Sequence, residues 1–276
     1  MNFKIVSDSS SDLLNIDSVD FESVPLKIIT DEREYVDNAE LDVSAMLADL
    51  AKYKGKSKSS CPNSEEYLRA FGDAEYVFCV TITSGLSGSF NAASVAAKTY
   101  TEEHPERRVH VIDSLSTGSE NVLLIERLAA LISEHGDFDT VVDKITEYHN
   151  HTRLIFALES MHNLSRNGRV SPIVAKLCGV LGIRIVGRAS DKGTLEVIEK
   201  SRGERAMISD IVKNMKGDGY KGGRVRINHA ENPKTAETLR DKILSEFPDA
   251  EISIGSTRGL CSFYAESGGL LVGFEV

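Results

Sequence analysis

The chain has 276 residues, 41% of them hydrophobic and 27% charged, with 42 acidic against 32 basic side chains and a formal net charge of −10. That apolar fraction excludes a disordered chain, and the length leaves room for one large or two medium domains around a sizeable core. The acidic excess argues against broad binding to nucleic acid or to an anionic membrane, both of which need a positive surface.

No apolar run approaches the roughly 20 residues of a membrane span. The opening Met1 to Ser10 has one Lys and a short apolar strand, without the apolar core or cleavage site of a signal peptide. The expected compartment is therefore the cytoplasm. Cys61, Cys79, Cys178 and Cys261 lie far apart with no CxxC spacing, which predicts free thiols and no disulfide frame or zinc site.

In chain order, Lys4 to Val6 is a short β run ended by the turn-rich Ser7 to Asp12, where Asp8 and Asp12 suit Asx-turn and cap roles better than a metal pair. Val24 to Ile29 is a second extended run, and Leu41 to Tyr53 carries apolar residues at helical spacing. Lys54 to Ser64 is polar and reads as flexible. Ser64, followed by Glu65 and Glu66, predicts a hydroxyl-capped helix start. Tyr76 to Ile82 is almost wholly apolar, as a strand buried on both faces should be. It runs into Thr83-Ser84-Gly85-Leu86-Ser87-Gly88-Ser89 and an Ala-rich helix to about Tyr100. Val109 to Asp113 is another buried strand, with a helix from about Asn121 to His135.

A second series begins near His151. Leu154 to Leu158 is a strand, and a helix-like segment passes through Leu177 to Ile183. Arg184 to Val186 and Thr194 to Ile198 form a hairpin turning at Asp191-Lys192-Gly193. Arg205 to Met215 reads as a helix, Val225 to His229 as a strand, Pro233 to Phe247 as a helix, and the strands Ile252 to Ile254 and Leu270 to Phe274 close the chain. Strands alternating with helices predict an α/β protein with parallel pairing, and the change near His151 predicts domains over residues 1–152 and 153–276.

Three loops draw chemical interest. The Ser84–Ser89 loop follows a buried strand and opens a helix, where free amides attract anions; a well-capped helix start explains it equally well. It is neither a Walker A loop nor GxGxxG. Ser59-Ser60-Cys61-Pro62-Asn63 is a second hydroxyl-rich loop. Asn163 to Ser171 carries Arg166 and Arg169, and Arg202 with Arg205 follows the hairpin; on an acidic protein such arginines suit an anionic partner or a phosphate as well as plain solvation. His149, His151 and His229 match no metal spacing.

Together these motifs resemble the DegV family of lipid-binding proteins, which includes the fatty-acid-carrying subunit of bacterial fatty acid kinase. Val6-Ser7-Asp8-Ser9-Ser10-Ser11-Asp12-Leu13 is similar to the family's V-T-D-S-x-x-D-L opening, and Val24-Pro25-Leu26 to its V-P-L strand. Lys58 to Pro62 resembles T-S-Q-P, with Ser59 in the Thr place and Cys61 in the Gln place. Thr83 to Phe90 resembles S-S-G-L-S-G-T-Y, Asp113-Ser114 a D-S pair, Asn163 to Ser171 the L-x-x-G-G-R-I-S segment, and Ser267 to Leu270 the end of H-x-G-x-G-x-L. Tyr264 stands where the family has His, and Glu266 where it has Gly.

The resemblance implies two α/β domains of the DegV type, an N-terminal parallel-sheet domain and a C-terminal mixed domain, with one long-chain fatty acid such as palmitate buried between or beneath them. It implies carboxylate contacts from Ser59, Ser60, Ser84, Gly85, Ser87 and Tyr264. Arg169 and Arg202 become candidates for docking a partner or steadying a phosphate. The implied partner is a dihydroxyacetone-kinase-like fatty acid kinase that supplies ATP and Mg, while this chain, a monomer or a homodimer with no covalent cofactor and no metal, catalyses nothing itself. Two other readings stay open: an enzyme binding a phosphate-containing substrate at the Ser84–Ser89 loop, and a kinase-independent lipid sensor or chaperone.

Overall fold

A computed structural model describes residues 2–176 and 182–276; of the helix-like segment expected through Leu177 to Ile183, residues 177–181 lie outside the described residues, and Gly182 is a turn that leads into a strand beginning at Ile183. Three sheets organise the described residues. The first is parallel throughout: β1 (Phe3–Asp8), β2 (Asp20–Val24), β6 (Tyr76–Thr81) and β7 (Arg108–Asp113) lie in the order β2-β1-β6-β7. A small antiparallel sheet has the order β4-β3-β5, from β3 (Lys27–Ile29), β4 (Glu34–Val36) and β5 (Lys58–Ser60). The third sheet is mixed and takes its six strands from the rest of the chain. These are β8 (Thr152–Leu158), β9 (Ile183–Ala189), β10 (Leu195–Arg202), β11 (Arg224–His229), β12 (Glu251–Ser256) and β13 (Leu270–Glu275), in the order β10-β9-β8-β13-β11-β12. Only its β11–β12 pair is parallel.

The apolar strands are buried on both faces, for the reason their sequences suggest. Along β6, Phe78 and Val80 enter one core with helices α4 (Ser119–His135) and α5 (Phe138–Asn150). Val77 and Cys79 enter another, with α2 (Ser64–Phe71) and α3 (Ser89–Glu103). The period-2 alternation of a strand thus feeds two cores at once. β8 repeats the device. Ile155 and Ala157 pack toward α8 (Glu204–Gly217) and α9 (Pro233–Glu246), and Leu154, Phe156 and Leu158 line the opposite face.

Two local expectations change. Val24 to Ile29 is not one strand: Pro25 and Leu26 separate β2 from β3, which belong to different sheets. Pro25 has no N–H for a ladder, so the chain leaves the parallel sheet there. The cap of α2 is Asn63, not Ser64. Its side chain accepts from the Glu66 amide, and Glu66 accepts from the Asn63 amide at 2.8 Å.

α4 lies between the parallel and mixed sheets. Ser119 Oγ donates to the Leu271 carbonyl at 2.8 Å and accepts from the Asn228 amide at 3.2 Å. A Cβ at Gly273 would stand 2.5 Å from the Ser119 carbonyl carbon, so only glycine lets the helix sit so close to β13. Near its middle, Glu126 receives the Arg226 guanidinium from β11 through Nε at 3.0 Å and Nη2 at 2.7 Å.

A buried and a half-buried carboxylate tie the first residues to the last helix. α1 (Val43–Lys52) and α10 (Gly259–Ala265) are neighbours, and α10 has no side-chain cap of its own sequence. Asp37 supplies it: Oδ1 accepts from the Gly259 amide and Oδ2 from the Leu260 amide, both at 2.8 Å. A Cβ at Gly259 would lie 2.8 Å from Asp37 Cγ, so this approach also requires glycine. Asp12, in the left-handed region at φ 61°, accepts from the Arg258 amide at 2.7 Å and from Asn228 Nδ2 at 2.9 Å. The cap roles expected for Asp8 and Asp12 hold, although Asp12 serves a helix 246 residues away. Replacing Asp37 with Ala strands two buried amides, each costing about 1–3 kcal/mol. Urea unfolding of Asp37→Ala should show a stability loss of at least about 2 kcal/mol.

Burial raises the Asp12 carboxyl from 3.8 to about 7, against hydrogen bonds from Arg258 and Asn228 that pull it down. An acid whose folded value lies above its unfolded value stabilises the fold fully below the unfolded value, and loses that contribution as pH rises through the folded one. The window for Asp12 is therefore about pH 4 to 7. Thermal melts across that window should show a smaller drop with rising pH for Asp12→Asn than for the wild type; equal drops would contradict the assignment.

Candidate functional site

An apolar cavity of about 320 Å³ lies between the loops of the parallel sheet and one face of the mixed sheet. Leu154, Phe156 and Leu158 of β8 form one wall, and Leu26, Ile82 and Leu260 face them. A volume of this size falls at the lower end of small-molecule sites. Its polar atoms gather in a few places, and five of the residues singled out from sequence are among its lining: Ser59, Ser60, Ser87, Arg169 and Tyr264.

Ser59 owes its position to strand alternation. From Tyr53 to Ser60 exposure alternates, with Lys54, Lys56, Lys58 and Ser60 outward and Ser57 and Ser59 partly buried. The segment expected to be flexible thus contains β5, an edge strand of the small sheet, paired to β3 with Ser59 opposite Ile28. Ser59 Oγ lies 2.7 Å from the Tyr264 hydroxyl. Tyr264 comes from α10, so this contact joins residues 205 positions apart. Burial pushes the Tyr264 hydroxyl above its usual value of 10.0, while Ser59 and the Arg169 charge pull it down. Tyr264 therefore remains a neutral hydroxyl that can donate, where a His would gain and lose charge near neutrality.

Arg169 places the centre of its guanidinium 6.0 Å from the Tyr264 ring centroid. Its Nε donates to the Leu86 carbonyl at 3.2 Å and Nη1 to the Asn167 carbonyl at 2.5 Å. Among the described residues it is the one charged side chain lining the cavity, and it makes no ion pair with any of them. Carbonyls thus orient the cation without neutralising it.

Ser87 stands in the loop that opens α3, where the cap residue, Gly88, has no side chain to offer. Ser87 Oγ accepts from the Ser89 amide at 3.3 Å. The loop is held from below by Asp8, fully buried, which accepts from the Ile82 amide at 2.9 Å and from Ser89 Oγ at 2.5 Å. Burial raises the Asp8 carboxyl. Ser84 and Gly85 take another position. Both are exposed and neither lines the cavity. The Ser84 amide donates to Asp113 Oδ1 at 2.9 Å, and a Cβ on Gly85 would stand 2.8 Å from the Lys192 carbonyl oxygen. Ser84 thus ties the loop to the end of β7, and Gly85 presses it against the β9–β10 turn.

Arg202 is exposed at the end of β10 and does not line the cavity. Glu266, in the left-handed region, turns its Oε1 to the Asn163 amide at 3.1 Å, which starts the short helix α6 (His162–Arg166), and is not a lining residue. Sequence reasoning did not single out Cys61, Thr117 or Cys261 as lining residues. The two cysteines share the cavity with no disulfide. Burial raises the Cys261 thiol well above its usual range. The apolar wall was legible in principle, as every second residue of β8. Among the described residues, no group of three or more His, Cys, Asp or Glu is placed to hold a metal ion, and no helix is long and apolar enough to cross a membrane.

A family model described as "Uncharacterised protein, DegV family" matches residues 2–275. A DegV domain-containing protein of Streptococcus gordonii is 43% identical over 280 residues, covering all of both chains. A solved structure of the Streptococcus pneumoniae fatty acid kinase (Fak) B3 protein, loaded with linoleic acid, superposes with a TM-score of 0.98 at 43% identity over 100% of both chains. A DegV family protein from Eubacterium eligens, loaded with heptadecanoic acid, gives 0.97 at 41% identity over 99% of both chains. The expected architecture, a parallel sheet followed by a mixed one, is that of these structures. On the match over nearly its whole length, and on full-length relatives above two-fifths identity, the chain belongs to the DegV family.

Proposed function

We propose that this chain binds one long-chain fatty acid in the 320 Å³ cavity, with the carboxylate at the Ser59–Tyr264 pair. The observation that carries this reading is the distribution of polarity. Long leucine and phenylalanine walls end at two facing hydroxyls with an unneutralised guanidinium beside them. A fatty acid has the same division. The fatty acids bound by the E. eligens and S. pneumoniae relatives support the same class of ligand.

Energetics assign different work to the two ends. Burying roughly fourteen methylenes at about 0.8 kcal/mol each gives about 11 kcal/mol gross. Association and ordering consume several kcal/mol of that. The tail supplies most of the affinity, and the hydroxyls orient the head. Ser59 and Tyr264 each carry one O–H, so both can donate to an entering carboxylate, with Ser60 and Ser87 at the rim. Arg169 favours the ionised head by its charge. Ser84 and Gly85 set the position of the loop that carries Ser87.

The finer reading is that the bound carboxylate is presented to a fatty acid kinase, which supplies ATP and Mg. A carboxylate oxygen attacks the γ-phosphorus, ADP leaves, and an acyl phosphate remains in this chain. The S. pneumoniae relative's name as a fatty acid kinase B protein supports such a partner. Arg169 at the cavity and Arg202 on the exposed end of β10 are the proposed docking cations. This chain is assigned the carrier's part, in the cytoplasm, and no catalytic residue.

The test is to purify the protein without added lipid, extract it with organic solvent and identify acyl chains by mass spectrometry. Near-stoichiometric long-chain fatty acid is expected. A chain that is empty and also takes up no added fatty acid contradicts the reading. Tyr264→Phe removes one donor to a charged group, worth about 1.5–3 kcal/mol, so its affinity for palmitate should fall about ten- to hundred-fold. Unchanged affinity would remove Tyr264 from the head-group site.

A further inference from the structure

We infer that Leu154 is the stop that limits the length of the bound acyl chain; this rests on the fatty-acid reading above. The argument begins with β8. Residues two apart on a strand share a face and stand about 6.6 Å apart. Leu154, Phe156 and Leu158 are such a row, and all three line the apolar cavity. Thr152, the next residue of the row, lines a second cavity of about 300 Å³. Leu154 lines both. The two cavities therefore lie end to end along one strand face, with a single buried leucine between them.

The second cavity has the opposite character. Glu120 is buried within it and accepts from Thr152 Oγ1 at 2.7 Å. His149 lies beside it, with Nε2 2.9 Å from the Ser114 carbonyl. Arg153 donates to the backbone carbonyls of Asn150 and Thr152, at 2.8 and 2.6 Å. None of Ser59, Ser87, Arg169 or Tyr264 lines this cavity, so Leu154 stands at the end away from the proposed head group. The position is also rigid. Gly273 pairs with Leu154, and the first turn of α4 rests directly on that glycine. A methyl terminus that passed Leu154 would meet a buried carboxylate and a guanidinium, whose water it would displace with no hydrogen bond in return. Leu154 thus blocks the path sterically, and the polar groups behind it withhold any gain from going further.

Wild type, Leu154→Ala and Leu158→Ala should be produced in one host, their lipids extracted, and the acyl chains weighed by mass spectrometry. The delipidated proteins should then be offered hexadecanoic and eicosanoic acids in competition. Removing three buried side-chain carbons at the stop makes room for about two to three chain carbons. Leu154→Ala should therefore shift its bound acids longer by that amount and favour eicosanoic acid relative to wild type. Leu158→Ala enlarges the same cavity without opening the second, and should not. An unmoved distribution in Leu154→Ala, or an equal shift in Leu158→Ala, overturns the inference. If Leu154→Ala does not fold, Leu154→Val gives the same reading with a smaller shift, and Leu154→Phe should shorten the bound chains. A wild type that takes up neither acid overturns the fatty-acid reading itself, whereas a loaded wild type with unmoved variants overturns only the role of Leu154.

Discussion

The geometry of the cavity depends on one interaction across the seam of the molecule: the carboxylate of Asp37 capping α10. That helix brings Leu260, Cys261, Tyr264 and Ala265 to the cavity. It is only seven residues long and has no cap in its own sequence. Such a short helix is marginal unless its free amides find partners. Asp37 takes two of them and Asp12 takes the amide just before. Because Ser59 hangs on the same small sheet as β3 and β4, which lead to Asp37, the two hydroxyls of the proposed head-group site are set by one local frame.

The frame is costly in one respect and useful in another. Asp8 and Asp37 are buried and Asp12 is half-buried, and loss of solvent raises each carboxyl. Each is retained among several donors, as buried charges must be. In return, three segments far apart in sequence have few alternatives to their native partners. α4 extends the same principle. It packs its apolar side against the parallel sheet and is hydrogen-bonded to the mixed one, so the cavity is walled by elements with little freedom to separate.

Much of this was legible in the sequence. β6 and β8 are runs of apolar residues, and the hairpin turn at Asp191-Lys192-Gly193 carries its own signal, whereas β7, expected to be buried, is a half-buried edge strand with Arg108, His110 and Asp113 in it. The hydroxyl loops could be read because Ser and Gly before a helix have a local meaning. What escaped was non-local. β5 is built from Lys and Ser, residues with little strand preference, and becomes a strand only because β3 lies beside it. α10 reads Gly-Leu-Cys-Ser-Phe-Tyr-Ala, and its cap stands 222 residues upstream. Ser84 and Gly85 show the converse: their motif was visible, but only the packing of Gly85 against the turn at Lys192 and Gly193 shows that they face away from the cavity. Spacing along the chain named the loops, and tertiary contacts decided which hydroxyls turn inward.

The measurement that bears most directly on the central claim is an NMR spectrum of the delipidated protein with carboxyl-¹³C palmitate. If the carboxylate rests between Ser59 and Tyr264, a single bound carboxyl resonance should appear, distinct from free lipid, and it should move in Ser59→Ala and in Tyr264→Phe. A spectrum with free lipid alone, or a bound resonance indifferent to both substitutions, would contradict the account.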